Sequence, residues 1–123
     1  MALHIKDLQG KRPSKFGAKK VIDGDQKFDS KAEHKRWLYL SRLFAAGEIF
    51  ALQRQVKFEV IPSVKRPSGG RERASYYVAD FTYHDKDERY VVEDVKGAIT
   101  RDYLLKRKLM LWRHGIEVQE VQA

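Results

Sequence analysis

Two stretches decide what this chain can become: YYVADFTY at 76–83 and YVVEDVKG at 90–97. Both are rich in aromatic and β-branched residues, as strands are, and Val91, Val92 and Val95 fall on both faces, the pattern of an inner strand covered on each side. Yet Asp80 interrupts the first run and Glu93 and Asp94 the second. Acids are poor strand formers and costly to bury unpaired. A fold that encloses all three must supply a counter-charge. A divalent cation is the natural one, because Mg²⁺ takes carboxylate oxygens and keeps waters for a substrate phosphate.

The other elements follow from period and punctuation. Asp23-Gly24 is a hairpin-type turn between short apolar flanks. Ser30 and Glu33 form an S-x-x-E capping box, with Asp29 as the alternative cap; Trp37, Leu40 and Phe44, with Leu43 beside them, recur at helical spacing, and Gly47 ends a helix over 30–46. Val56, Phe58 and Val60 alternate with Lys57 and Glu59, a half-buried strand within 51–61. Residues 62–70 read as a loop, flexible at Ser68-Gly69-Gly70. Strands over 73–84 and 89–96 flank a polar turn, and Thr100 caps a helix to about His114 with Leu105, Leu109 and Trp112 on one face. Ile116, Val118 and Val121 make a last strand. The order is helix, three strands, helix, strand, an α/β (α+β) chain with a central sheet flanked by helices.

Register decides which acids meet. A three-residue tip at Lys86–Glu88 sets Asp80 opposite Asp94; a two-residue tip at Lys86-Asp87 sets it opposite Glu93. Side chains two apart in a strand share a face, so Asp94 goes with Lys96 while Glu93 goes with Val91 and Val95. The expected set is Asp80, Asp94 and Lys96, with Glu93 as the fallback metal ligand. Glu33 occupies the N3 place of the capping box, and Gln53 and Gln55 on the first strand are expected to pair at a sheet edge. Tyr76, Tyr77 and Tyr83 suit base stacking less well than core packing.

Charge names the class of partner. The chain has 25 Lys and Arg against 17 Asp and Glu, net +8 with a pI near 9.7. Residues 1–20, a basic arm including Lys15, Lys19 and Lys20, contribute +5 of this, and residues 65–73, with Lys65, Arg66, Arg71 and Arg73, the other +3. Excess charge confined to an arm and a loop is the footprint of phosphate contacts, to which Arg101 and Lys106 of the second helix add. The expected organisation is that arm followed by one domain over 21–123. There is no Cys, which excludes disulfides, thiolate metal sites and thiol catalysis. The absence of a secretory h-region or a membrane-length apolar run, together with the lack of Cys, points to the cytoplasm. Nucleotide-binding glycine loops and HExxH are missing, and the four His have no ligand spacing.

The chain resembles the PD-(D/E)XK nuclease superfamily, and within it a small phage-borne endonuclease-like family. The likeness rests on KFGAKK at 15–20, FDSKAEHKRWLYL at 28–40, YYVADFTY, VVEDVKG at 91–97 and TRDYLLKRKLM at 100–110. It implies a restriction-endonuclease-like core of helix, three strands, helix and strand around a mixed sheet. It makes Asp80 the first acid, with Ala79 where proline would stand, Asp94 the second acid, Lys96 the lysine and Glu33 the helix glutamate. The implied activity is Mg²⁺- or Mn²⁺-dependent hydrolysis of phosphodiester bonds, in branched or otherwise structured DNA during phage recombination, repair or genome processing, in a bacterial or phage-infected cell. RNA stays open as substrate. Resolving a four-way junction would need two sites, hence a homodimer. The competing expectation is a non-catalytic nucleic-acid-binding protein that uses the arm and the loop.

Overall fold

The computed structural model describes residues 19–123. Residues 1–18, with Lys15 and most of the basic arm, lie outside the described part. Two short strands, β1 (Val21–Asp23) and β2 (Gln26–Phe28), pair about the Asp23-Gly24 turn and precede α1 (Lys31–Ala45). Then come β3 (Phe50–Ile61), β4 (Val64–Lys65), β5 (Arg71–Glu72), β6 (Ser75–His84), β7 (Tyr90–Lys96), α2 (Arg101–His114) and β8 (Gln119–Gln122). The central sheet has the order β3-β6-β7-β8. Its first two pairings are antiparallel and β7–β8 is parallel, so the sheet is mixed, and a helix packs on each face. The fold is α+β as expected. No helix among the described residues is long and apolar enough to cross a membrane.

Both helices start as their sequences dictate. Ser30 Oγ accepts the Glu33 N–H at 3.0 Å and Thr100 Oγ1 accepts that of Tyr103 at 3.1 Å. Gly47 and Gly115 take the left-handed conformation that ends each helix. Under α2 lies a core of Val60, Tyr77, Ala79, Val92, Tyr103, Met110 and Val118; under α1 lies one of Leu40, Ile49, Phe81 and Tyr83.

Three expectations need correction. Residues 62–70 are not an open loop: β4 and β5 form a hairpin, closed by Gly69 N–H to Arg66 O and Arg66 N–H to Gly70 O, both 3.0 Å. The positive φ of Gly69 and Gly70 makes that turn, and Arg66 pairs with Glu72 across it. On α2, Leu105 and Trp112 face outward, Trp112 being 76% exposed, while Tyr103 and Met110 face the core. Apolar side chains at 103, 104, 105, 109, 110, 111 and 112 together nearly encircle that helix, so their spacing does not define an inner face. Phe44 of α1 is exposed as well, whereas Leu40 is fully buried.

The turn after β6 fixes the decisive register. Asp85 N–H bonds to Arg89 O at 3.0 Å, leaving Lys86-Asp87-Glu88 as a three-residue tip with Glu88 at φ 63°. Phe81 pairs with Glu93, and the ladder runs from there to His84 with Tyr90. Asp80 therefore stands opposite Asp94.

Candidate active site

The site forms where the sheet departs from regularity. In a regular strand Tyr77, Ala79, Phe81 and Tyr83 would share one face. Here Tyr77 and Ala79 pack under α2 but Phe81 and Tyr83 under α1, so the inward set changes face at Asp80. The partner strand has its own irregularity at the matching position. Gln55, between the pairs Arg54–Phe81 and Val56–Ala79, has φ 53°, a left-handed conformation uncommon outside glycine. The β6–β7 ladder also stops here: the Val95 N–H goes to Asp80 Oδ2 at 2.9 Å.

This distortion gathers the acids. Asp80, Asp94, Lys96 and Glu33 line one open cleft of about 600 Å³, together with Lys19, Thr100 and the chain end at Ala123. Asp94 Oδ2 accepts the Tyr77 hydroxyl at 2.6 Å and faces Lys96 Nζ at 3.4 Å. The ammonium of Lys96 lies 4.0 Å from the centre of the Tyr103 ring. Tyr103 in turn donates to Glu120, which Arg107 also holds, each at 2.6 Å. Glu33 uses both oxygens: Oε1 caps α1 by accepting the Asp29 N–H at 2.8 Å, and Oε2 accepts Gln55 Nε2 at 2.9 Å with Arg54 Nη2 at 3.7 Å. Gln55 Nε2 also reaches Asp80 Oδ1 at 3.3 Å. Cap and site are thus two halves of one carboxylate.

Burial sets the electrostatics. It raises the Asp80 carboxyl above the ordinary carboxylate range, while hydrogen bonds from Asp94 and the Val95 N–H pull the other way. Asp94 is pushed to about 7, by burial first and by Asp80 next, against the Tyr77 hydroxyl and Lys96. The two titrate as a coupled pair that resists double ionisation. A divalent cation would relieve this. The donor set suits one: these are hard oxygens, and apart from the bond the two carboxyls share, Asp80 Oδ1 meets Gln55 at a long 3.3 Å while Tyr77 and Lys96 both engage Asp94 through Oδ2. Among the described residues no group of three or more such side chains lies close enough to enclose an ion unaided. The fit is therefore to a pair of ligands completed by water or substrate oxygens, as Mg²⁺ prefers.

Glu93 does not belong to this set. It projects from the other face, where Arg36 Nε and Nη2 grip its two oxygens at 2.9 and 2.7 Å and the Tyr83 hydroxyl donates to it. As a metal ligand it is corrected: a buried bidentate ion pair already uses it. Gln55 is the reverse case, a member of the site rather than an edge-pairing residue. Arg54, stacked 3.9 Å over the Phe28 ring, and Tyr77, Tyr103 and Glu120 also belong to the surroundings, though no motif marks them for it. The strand registers, and for Tyr103 its place on the first turn of α2, identify them.

The basic residues disperse. Lys19 borders the cleft, Lys20 is exposed just before β1, and Arg101 is exposed on the first turn of α2. Lys106 pairs with Asp102 at 3.6 Å. Arg66 and Arg71 brace the hairpin, to Glu72 and Ser63, while Lys65 and Arg73 are exposed and without a partner among the described residues.

Residues 13–121 match one family model, described as "Protein of unknown function (DUF1064)", and the chain belongs to that family. No curated protein and no solved structure gives a significant match.

Proposed function

We propose that this member of the DUF1064 family is a metal-dependent DNA endonuclease that hydrolyses phosphodiester bonds. The observation that carries the reading is the pairing of half-buried Asp80 with buried Asp94, the Lys96 ammonium 3.4 Å from Asp94, open to a cleft. A structural ion pair would be self-contained. Here Lys96 faces Asp94 alone, and Asp80 has no cationic side chain within salt-bridge distance among the described residues.

Asp80 and Asp94 would hold Mg²⁺ or Mn²⁺, with Glu33 behind them. When bound, the ion would supply Lewis-acid polarisation of the phosphoryl oxygen and a water acidified toward neutral pH. Lys96, steadied by Asp94 and the Tyr103 ring, offers a positive charge to the phosphoryl oxygens as charge builds there. Gln55, bonded to both Glu33 and Asp80, fixes the distance between them. The basic hairpin and the cations near the cleft supply non-specific attraction to the nucleic-acid backbone. DNA, as a branched or otherwise structured molecule, is the substrate this reading favours.

The test is cleavage of a panel of four-way junction, flap, single-stranded and duplex DNA, with Mg²⁺ and with EDTA. The wild-type chain should cut at least one of them only with Mg²⁺. Asp80→Asn and Lys96→Ala should each slow cleavage by about 10²-fold or more, as loss of a charge-stabilising group does. Cleavage by Asp80→Asn at the wild-type rate overturns the assignment.

A further inference from the structure

One face of the sheet beyond α1 is bare. Phe58, Val60, Tyr77 and Ala79 turn toward α2, so the alternating residues of the same strands turn the other way. These are Gln55 and Lys57 on β3 and Tyr76 and Val78 on β6, with Lys57 paired to Val78 in the register. Tyr76 is 39% and Val78 42% exposed, and Lys57 Nζ lies 4.6 Å from the centre of the Tyr76 ring. Glu59, opposite Tyr76, is engaged by Arg113 of α2. That leaves Lys57 as the unpaired charge on this face among the described residues.

The face is continuous with the proposed cleavage site at one end and with the β4–β5 hairpin at the other. Gln55 touches Asp80, four residues along β6 from Tyr76, a span of about 14 Å. β6 begins at Ser75, next to Tyr76, and just beyond lies the hairpin with exposed Lys65 and Arg73.

We infer that this face is the binding track for a single-stranded segment of the substrate: one unstacked base lies on Tyr76, its phosphates run toward Lys57 and the hairpin, and the strand continues into the cleft. The inference rests on the nuclease reading and narrows its substrate to DNA with an unpaired segment beside the cut. An aromatic ring on a sheet can accept the π-face of any base, but only of a base freed from its duplex neighbours. Lys57 adds the cation that tracks the backbone. Of the strand tyrosines, Tyr77 and Tyr83 are buried against Asp94 and Glu93 and Tyr90 lies beside His84 at the β6–β7 turn, so on this face it is Tyr76 that presents its ring.

Binding is measured by fluorescence anisotropy in EDTA, where no cleavage occurs, with a labelled single-stranded 15-mer and a blunt duplex of the same sequence. Stacking of one base is worth about 1–3 kcal/mol, so Tyr76→Ala should weaken single-strand binding roughly 5- to 150-fold. Tyr76→Phe should stay within about twofold of wild type, and duplex binding should hardly change in either variant. Melting curves confirm that each variant is folded. Single-strand binding unaffected by Tyr76→Ala overturns the inference, as does an equal loss for the duplex. A Tyr76-dependent self-association with unaltered DNA binding overturns it in favour of a second copy on this face. Failure of the nuclease reading is seen separately, as wild-type protein that binds but does not cut in Mg²⁺.

Discussion

The Asp94 carboxyl has a tyrosine hydroxyl and a lysine ammonium within reach and still ionises only near neutral pH, because burial and the facing Asp80 outweigh both. The unfolded chain ionises this group near 3.8 and the folded chain at about 7. Between those values the folded state holds the extra proton, so the stability gained from it is complete below 3.8 and is lost as pH rises through about 7. In EDTA, the wild-type melting temperature should therefore fall relative to that of Asp94→Asn as pH goes from 4 to 7, and Asp94→Asn should be the more stable at pH 8. A wild-type advantage that grows with pH contradicts this. Glu93 is held by a different contact, the bidentate ion pair with Arg36. Arg36→Ala would leave it buried without its counter-charge, at a cost of about 3 kcal/mol, the low end for a broken buried pair because Arg36 is itself partly exposed. Urea unfolding should show that loss, with cation binding unaltered.

At the scale of elements, the caps and the acid-bearing strands are legible because their signals are local. Ser30 with Glu33, Thr100, and the three-residue tip at 86–88 each act within a few residues, and Lys96 allots Asp94 and Glu93 to their faces. What cannot be read depends on longer reach. Gln55 meets Asp80 through the β3–β6 register, which a connection containing an unforeseen hairpin sets, and its left-handed φ has no glycine to announce it. The inner face of α2 escapes the apolar pattern because aromatic, Met and Leu side chains together surround the helix and the buried Tyr103 is held by Glu120. The double duty of Glu33 can be separated. Ser30→Ala, which removes only the cap, should cost about 1 kcal/mol. Glu33→Gln should in addition weaken Mn²⁺ binding several-fold in calorimetric titration. If it costs stability alone, Glu33 is a cap and nothing more.

At the scale of the whole molecule, the charge excess and the paired carboxylates belong to different stretches of the sequence. The net +8 lies in the N-terminal segment and the hairpin region, while the acids are drawn into a cleft at the middle of the sheet. Under the proposed function, attraction to a phosphate backbone and chemistry on it would rest on separate residues. Replacing Lys65 and Arg73 together with alanine should lower the slope of log affinity against log salt by up to about 2, near 0.7–0.9 for each phosphate no longer neutralised, with the cation response intact. The central claim is that Asp80 and Asp94 together chelate a divalent cation, and thermal melting with Mn²⁺ tests it most directly. At a hundred times the dissociation constant, a bound ion stabilises the fold by about 2.7 kcal/mol. The account predicts a clear rise in melting temperature for the wild-type chain at pH 8, and no rise for the Asp80→Asn/Asp94→Asn double variant. An equal rise in both, or none in the wild type, contradicts it.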